Sequence, residues 1–347
     1  MRKCYVMMVA LLACLSCNNR TEQKQTGPFR FLDRLSDYHF FEGELKLLQP
    51  RKGVTSYELA TPLFTDYAVK DRFIVLPADS ALTYTGDGLP HFPDATFIIK
   101  NFAYTDTLHR KVMIETRLLY KDPYDHGWKV MNYLWNKEQT DADRWLLGKR
   151  VPITLLDDNG QAHTTNYQVP NTNDCKRCHI NNSTLTPIGP KWRNLNFTRA
   201  GHSQNQLQAW AGMGLVKGLP DAKQLPALPV WNDSLHYSVN ERARAYLDVN
   251  CAHCHIKGGD AFNTGLFLDY ETTAKVQGVM KSPVSAGGGA GGLDYDIVPG
   301  DAANSILYYR MNSVEPGTAM PELARTLVHR EGVELIAKWI DAMAGSR

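Results

Sequence analysis

The sequence predicts an α+β multidomain protein, in which an antiparallel β-rich N-terminal domain precedes two mainly α-helical domains. Two observations support this prediction. Residues 30–170 contain short runs rich in β-branched and aromatic residues, separated by turn residues, as is typical of strands. After residue 170 a Cys-x-x-Cys-His pentapeptide occurs twice, and the segments around the second copy have helical periodicity. The expected domains are residues 30–170, 171–237 and 238–347.

Length and charge limit the class of protein. The 347 residues are enough for two or three domains, each with its own core. The formal net charge is +2, and the sequence contains no dense stripe of Lys and Arg. Nucleic acid is therefore not an expected partner.

Residues 1–17 are expected to be an export signal that is not part of the fold. A basic start precedes an apolar run over residues 6–15, which is too short to span a bilayer as a stable helix. The run ends at cysteines, as in bacterial lipoprotein signals, where the cysteine becomes the lipidated first residue. Cys17 is favoured over Cys14, because it gives a more usual signal length and leads into a polar tether, residues 18–29. An ordinary cleaved signal would imply the same compartment without a lipid.

The β-rich region has one clear strand and one clear turn. The run RKVMIETRLL, residues 110–119, alternates two sets of side chains as a strand does, and Asn159-Gly160 suit a type I′ hairpin turn. An antiparallel sandwich or curved sheet is expected. Four charged residues could form a polar site, although paired surface charges are the simpler interpretation: Asp66, Lys70, Glu115 and Arg117. Four aromatic residues are expected in the core, with a binding groove as the alternative: Trp128, Tyr133, Trp135 and Trp145.

The two pentapeptides have the pattern of c-type haem attachment. Two thiols one helical turn apart can form thioethers with the two haem vinyl groups, and the following His can bind the iron. The predicted thioether residues are Cys175, Cys178, Cys251 and Cys254, and the predicted proximal ligands are His179 and His255. No cysteine after residue 17 remains for a disulfide framework. The predicted cofactors are two haem c groups.

Three other interpretations of the cysteines explain less. Paired Cys-x-x-Cys units of a zinc ribbon are usually about 15–20 residues apart, whereas 72 residues separate these pairs. A thioredoxin-like redox pair needs one Cys-x-x-Cys and no His after it. Two short disulfide loops would leave both histidines unexplained.

The second iron has a clear candidate for its distal ligand. Met320 lies in a Gly/Pro loop before an amphipathic run that contains Val333, Ile336 and Ile340. The run before the second motif begins with Ser238-x-x-Glu241, which indicates a capping box. Met320 could instead only fill the core, and Met311 is the reserve candidate.

The first iron has a weaker candidate. Met213 lies between two glycines after an amphipathic run, and His202 is the alternative. A ligand from the β-rich domain, or no protein ligand, is also open. The stretch PIGPKWRN, residues 187–194, looks like the Gly-Pro loop of class I cytochromes, and this resemblance implies that Lys191, Trp192 and Arg193 lie near the haem propionates. A surface loop is an equal alternative.

The order of these features resembles a family of bacterial dihaem c-type cytochromes of undefined function. The resemblance is carried by MIETRLL (113–119), WNKEQTDA (135–142), TPIGP (186–190) and RARAYLDVNCAHCH (242–255). It implies that the second and third domains are mainly α-helical, cytochrome c-like haem domains, the last one similar to class I cytochrome c.

The expected function is electron transfer in the bacterial cell envelope, with the two haems as a relay. The expected partners are redox proteins of the envelope and the membrane, through a lipid anchor at Cys17. The alternative is a peroxidase-like dihaem oxidoreductase in which the first haem is the reactive site. The β-rich domain could also be a module that docks a partner or a glycan. Electron transfer is favoured over an enzyme.

Overall fold

The computed structural model describes residues 27–221, 224–273, 277–284 and 287–343. The predicted signal, Cys17 and most of the tether lie outside these residues. None of the helices described in these ranges has the length and apolar character that a membrane crossing requires.

Strands dominate the part of the chain before residue 170. In chain order, the described strands are β1 (Phe41–Glu42), β2 (Gln49–Pro50), β3 (Val54–Tyr57), β4 (Val69–Val75), β5 (Leu82–Thr83), β6 (Phe97–Thr105), β7 (Lys111–Lys121), β8 (Trp128–Trp135), β9 (Ala142–Trp145), β10 (Lys149–Leu156), β11 (Ala162–Val169), β12 (Ile180–Asn181), β13 (Thr184–Leu185) and β14 (Val216–Lys217). Six of them form one antiparallel sheet in the order β3-β4-β6-β7-β8-β9. The other eight described strands form four two-stranded sheets.

Helices are few and short. In the described ranges they are α1 (Thr172–His179), α2 (Trp192–Leu195), α3 (Gln206–Gly212), α4 (Val239–Asn250), α5 (Ile306–Met311) and α6 (Arg330–Ala342). Short 3-10 turns occur at Ser36–Tyr38, Leu45–Leu47, Phe262–Thr264 and Gly287–Ala290.

The predicted fold class is therefore wrong. The chain has the large β-rich region, but the described residues after position 170 do not form two mainly α-helical, cytochrome c-like domains. The three helices of residues 171–237 have only 8, 4 and 7 residues, and the longest helix of the remainder has 13. Most of the chain around them is loop. The helical periodicity that the sequence shows corresponds to the short helix α3 and to α4 and α6, and between α4 and α6 the chain contains helix-breaking runs such as GGGAGG at 287–292.

The main sheet is covered on both faces. Phe73, Ile99 and Leu118 point to one face, where they pack against apolar residues of the segment 31–48. Ile98 and Leu119 point to the other face, where they pack in a cluster that includes Cys175, Trp192 and Leu195 of the segment after residue 170. Strand β7 is consequently buried on both sides along most of its length. The expectation that its charges lie on the surface is wrong.

The hairpin predicted at residues 157–161 is confirmed, but its turn differs from the prediction. Strands β10 and β11 pair antiparallel, and Asp157 N donates to Gln161 O across the turn at 2.9 Å. Only Gly160 has a positive φ (79°), whereas a type I′ turn requires two such residues. The Asp157 carboxylate accepts hydrogen bonds from the amides of Asn159 (2.9 Å) and Gln161 (2.8 Å), which favours a longer turn.

Residues 58–67, which we call the linking segment, join the sheet to both motif-bearing segments. Hydrogen bonds between backbone amides and mostly buried side chains make this connection. They fix the position of the linking segment relative to the two motif-bearing segments. The linking hydrogen bonds are Glu58 N to Gln206 Oε1 (2.9 Å), Thr61 N to Asn194 Oδ1 (2.9 Å), Phe64 N to Asn250 Oδ1 (2.8 Å) and Thr326 N to Asp66 Oδ1 (2.8 Å).

Helices α4 and α6 pack closely against each other. The predicted capping box begins α4: the Ser238 hydroxyl accepts from Glu241 N, and the Glu241 carboxylate accepts from Ser238 N. On α6, Val333, Ile336 and Ile340 are buried, as expected from their spacing. The helices lie close together at Gly332, where an added Cβ would lie 2.3 Å from Tyr246 Oη.

We expect Gly332→Ala to destabilise the protein, because the new methyl group would force α4 and α6 apart. Overpacking of this kind costs about 1–3 kcal/mol of unfolding free energy, measured by urea denaturation. Gly212→Ala in α3 is the matched control, since nothing lies within 4 Å of its added Cβ. Equal unfolding free energies for the two variants would contradict the close packing of α4 and α6.

Candidate functional site

Both Cys-x-x-Cys-His motifs open onto one cavity of about 470 Å³. Three parts of the chain contribute prominently to its walls. The motifs themselves, residues 175–179 and 251–255, form one part, and the loop around Met320 forms another. The third wall is the face of the main sheet that carries Ile98 and Leu119. The volume lies in the range of about 300–1,000 Å³ that is usual for ligand sites.

The first motif is placed by α1. Asn171 and Asp174 form a capping box that begins this helix, so Cys175 and Cys178 are one turn apart. Cys175 is buried, with its Sγ 3.9 Å from Asn132 Oδ1 on β8. The helix ends at His179, and the Nδ1 atom of His179 lies 2.8 Å from Thr186 O. Because a carbonyl only accepts, Nδ1 carries the proton of this hydrogen bond.

The second motif follows α4 directly. Cys251 is the C-cap of that helix, and the next residues form a turn in which His255 N donates to Cys251 O at 3.0 Å. The backbone of His255 is also held by Leu268 N, which donates to its carbonyl at 2.9 Å. His255 Nδ1 lies 3.5 Å from Thr264 Oγ1. Both motif histidines therefore have Nδ1 directed at a protein group, which leaves Nε2 as the free ligand atom.

Burial keeps both imidazoles neutral at pH 7. It lowers the pKa of His179 to about 4, and it lowers the pKa of His255 to about 4 as well. The neutral imidazole is the form that binds a metal. Both histidines are thus in the ionisation state that an iron ligand requires.

The two motifs touch each other. The Sγ atoms of Cys178 and Cys254 and a ring nitrogen of His253 all lie within 4.8 Å of one another. The hydrogen bond between the two thiols lowers the pKa of Cys178 and raises the pKa of Cys254. His253 Nδ1 is buried and has no hydrogen-bond partner among the described residues. This group of three side chains is a second feature that could hold a metal ion.

Contacts on either side hold the motifs together. Asn182 N donates to Gly258 O at 2.9 Å, and a Cβ at Gly258 would lie 2.3 Å from Asn182 Oδ1, so only glycine allows this approach. Arg177, between the cysteines of the first motif, pairs with Asp260 (3.3 Å) and Glu322 (3.0 Å). One side chain thus joins the first motif to the segment after the second motif and to the Met320 loop.

The candidate distal ligands have different positions. Met320 lines the cavity, and its amide donates to Arg310 O at 3.0 Å. Met311, the reserve candidate, is buried and also lines the cavity. Met213 is 59 % exposed at the end of α3, and neither Met213 nor His202 is among the residues that form the cavity wall.

The residues expected near the haem propionates have other roles. Trp192 is fully buried in the core cluster on the sheet. Lys191 and Arg193 both pair with the buried Asp248, at 2.9 and 3.1 Å. None of the three lines the cavity.

The sheet wall of the cavity contains charged residues whose role the sequence did not reveal. Arg72, Lys100 and Arg117 line the cavity. Glu115 is fully buried beside them, and its carboxylate accepts hydrogen bonds from Arg117 Nη2 at 2.5 Å and from the Tyr167 hydroxyl. In the sequence, these charged residues alternate in step with Ile98 and Leu119, which places them on the same face of the sheet. The sequence does not indicate which other segments cover that face, because this depends on the tertiary structure.

No protein family, curated protein or solved structure matches this chain. The identification with a family of bacterial dihaem c-type cytochromes is therefore wrong as a statement of family. It fails for two reasons: no family matches, and the described part of the chain lacks the two mainly helical domains that the resemblance implies.

Proposed function

We propose that this protein carries two covalently bound c-type haems and transfers electrons between them and a redox partner. Cys175 and Cys178 would bind one haem, with His179 as its iron ligand. The second haem would be bound by Cys251 and Cys254, with His255 as its ligand. The bound iron would supply one-electron chemistry.

The convergence of two Cys-x-x-Cys-His motifs on one cavity carries this proposal. The cavity offers a shared apolar space, and both motif histidines are neutral with Nδ1 engaged. Cys178 and Cys254 lie side by side, so groups attached to them would be neighbours. Neighbouring redox groups suit a relay better than two separate reaction sites.

Met320 is proposed as the distal ligand at the second motif. It is in the cavity wall together with His255, and its loop is held by the hydrogen bond from Met320 N to Arg310 O. A thioether ligand raises the reduction potential of a haem relative to a second His. The second haem would then be the electron acceptor of the pair.

We also propose that the protein is exported and anchored through Cys17, with its partners among redox proteins of the bacterial envelope. This rests on the N-terminal sequence, and it agrees with the attachment of c-type haem after export. Labelling with a radioactive fatty acid should mark the wild type and not Cys17→Ser; equal labelling of both would contradict the anchor.

A transition-metal ion held by Cys178, His253 and Cys254 is the second candidate. The closeness of the three ligand atoms favours it, since two thiolates and an imidazole suit a zinc-like ion. This site would use one cysteine from each motif, whereas haem attachment uses both cysteines of each motif. The two candidates therefore respond differently to substitutions.

The pyridine haemochrome assay on the full chain, made in a host that attaches c-type haem, is the direct test. We expect two haems per chain in the wild type, because each motif has both thiols and a His. Replacing Cys175 and Cys178 by Ser should leave one haem, and so should replacing Cys251 and Cys254. Met213→Leu, a change at an exposed residue outside the cavity wall, is the control and should retain two.

A wild-type chain without haem would overturn the haem proposal. The metal site would then be supported if elemental analysis found one zinc-like ion per wild-type chain and none in His253→Ala. Retention of both haems in His253→Ala would oppose the metal candidate.

We expect Met320→His to remove the near-infrared band of thioether-ligated ferric haem and to lower one midpoint potential. The decrease should be on the order of 0.1 V, a fraction of the ~0.8 V that axial ligands span. Met213→His, at an exposed position, should change neither quantity. An unchanged near-infrared spectrum in Met320→His would exclude Met320 as the ligand.

A further inference from the structure

Three cationic side chains lie side by side on the sheet face that forms a wall of the cavity. Arg72 on β4 is directly opposite Lys100 on β6, and Lys100 is directly opposite Arg117 on β7. Since neighbouring strands are about 4.8 Å apart, these residues cross the sheet as one row about 10 Å long. We call Arg72, Lys100 and Arg117 the cation row.

The row lies close to the first motif. Arg117 is opposite Asn132 on β8, and Asn132 Oδ1 lies 3.9 Å from Cys175 Sγ. All three cations share the cavity with His179. Any anion bound by the row would therefore be next to whatever occupies the first motif.

Among the described residues, the row forms one ion pair. Glu115 pairs with Arg117. In the same described ranges, neither Arg72 nor Lys100 forms an ion pair: Arg72 Nη1 donates only to Lys70 O at 3.3 Å, and Lys100 Nζ lies 4.8 Å from the centre of the Phe102 ring.

Donor groups of the row are also unused. Arg72 is only 7 % exposed, and its Nη2 is buried without a hydrogen-bond partner among the described residues. The Nε of Arg117 is buried and unpartnered in the same way. A buried guanidinium donor without an acceptor is costly, and protein structures normally provide one. These donors are therefore available to an acceptor that enters the cavity.

Electrostatics agrees with this reading. Burial, followed by the charges of Arg72, Lys70 and Arg117, lowers the pKa of Lys100 well below its ordinary value. Like charges this close oppose one another in a cavity of low dielectric constant. An anion bound between these cations would offset their mutual repulsion.

We propose that the cation row is a binding site for a planar oxyanion, the class that includes carboxylates. Guanidinium groups match planar oxyanions through two parallel hydrogen bonds, and the ammonium group between them adds a third donor. The anion could be a propionate of the haem at the first motif, a source that rests on the proposed function. It could equally be a free oxyanion that enters the cavity.

Succinate, a dicarboxylate, is the probe for the test. Its binding to the full chain is measured by calorimetry at constant ionic strength, first with protein made without haem. We expect saturable binding with one site, weakened at least about tenfold in Lys100→Gln and in Arg72→Gln. Lys111→Gln is the matched control, because it makes the same substitution at exposed Lys111 on β7, which pairs with Asp71 at 2.6 Å outside the cavity wall. Near-ultraviolet circular dichroism checks that each variant is folded. We expect Lys100→Gln and Arg72→Gln to fold, because each removes a cation of the cavity wall that forms no ion pair with the described residues.

The haem-loaded chain then distinguishes the two sources. Persistent succinate binding would identify a free oxyanion as the ligand. Loss of succinate binding on haem loading, with a midpoint potential that shifts in Lys100→Gln but not in Lys111→Gln, would identify a haem propionate. Either result supports the site.

Absence of saturable succinate binding to the haem-free chain, or equal affinities in Lys100→Gln and Lys111→Gln, would overturn the inference. The succinate result does not depend on haem attachment. A chain with two haems and no succinate site would support the proposed function and contradict the oxyanion site. A chain with the succinate site and no haem would support the oxyanion site and contradict the proposed function.

Discussion

The contact between the two Cys-x-x-Cys-His segments is the constraint on which the rest of the structure depends. Asn182 N donates to Gly258 O, and Arg177 pairs with Asp260 and Glu322, so each segment limits where the other can lie. The ion pairs are partly exposed and contribute little stability individually. Their effect is positional: they bring two pentapeptides, 71 residues apart in sequence, to the same cavity.

The linking segment, residues 58–67, extends this constraint to the sheet. Its amides bind side chains of both motif segments, and Asp66 accepts hydrogen bonds from the backbone of Thr326 and Leu327. With both motif segments fixed against it, one face of the sheet becomes a wall of the cavity and carries buried charge. That arrangement stabilises the fold poorly, since uncompensated buried cations are costly. The position of these charges in the cavity wall is the reason to assign the sheet a part in binding.

Local sequence signals predicted the local structure well. The capping box at Ser238 and Glu241, the hairpin at 157–161 and the spacing of each motif depend on residues close in the chain, so the sequence reveals them. The fold-class prediction is wrong because the helical periodicity around the second motif does not continue through the rest of residues 171–347. The position of Met213 and the burial of the sheet charges depend on long-range packing, which no local pattern contains. The cavity itself is entirely a product of such packing.

The central claim is that the two motifs hold their cofactors next to each other. Electron paramagnetic resonance of the fully oxidised, haem-loaded protein tests it most directly, with the two single-haem cysteine variants as references. The account predicts that the wild-type spectrum differs from the sum of the two single-haem spectra, because neighbouring ferric haems interact magnetically. A wild-type spectrum equal to that sum would contradict the convergence of the motifs on one cavity.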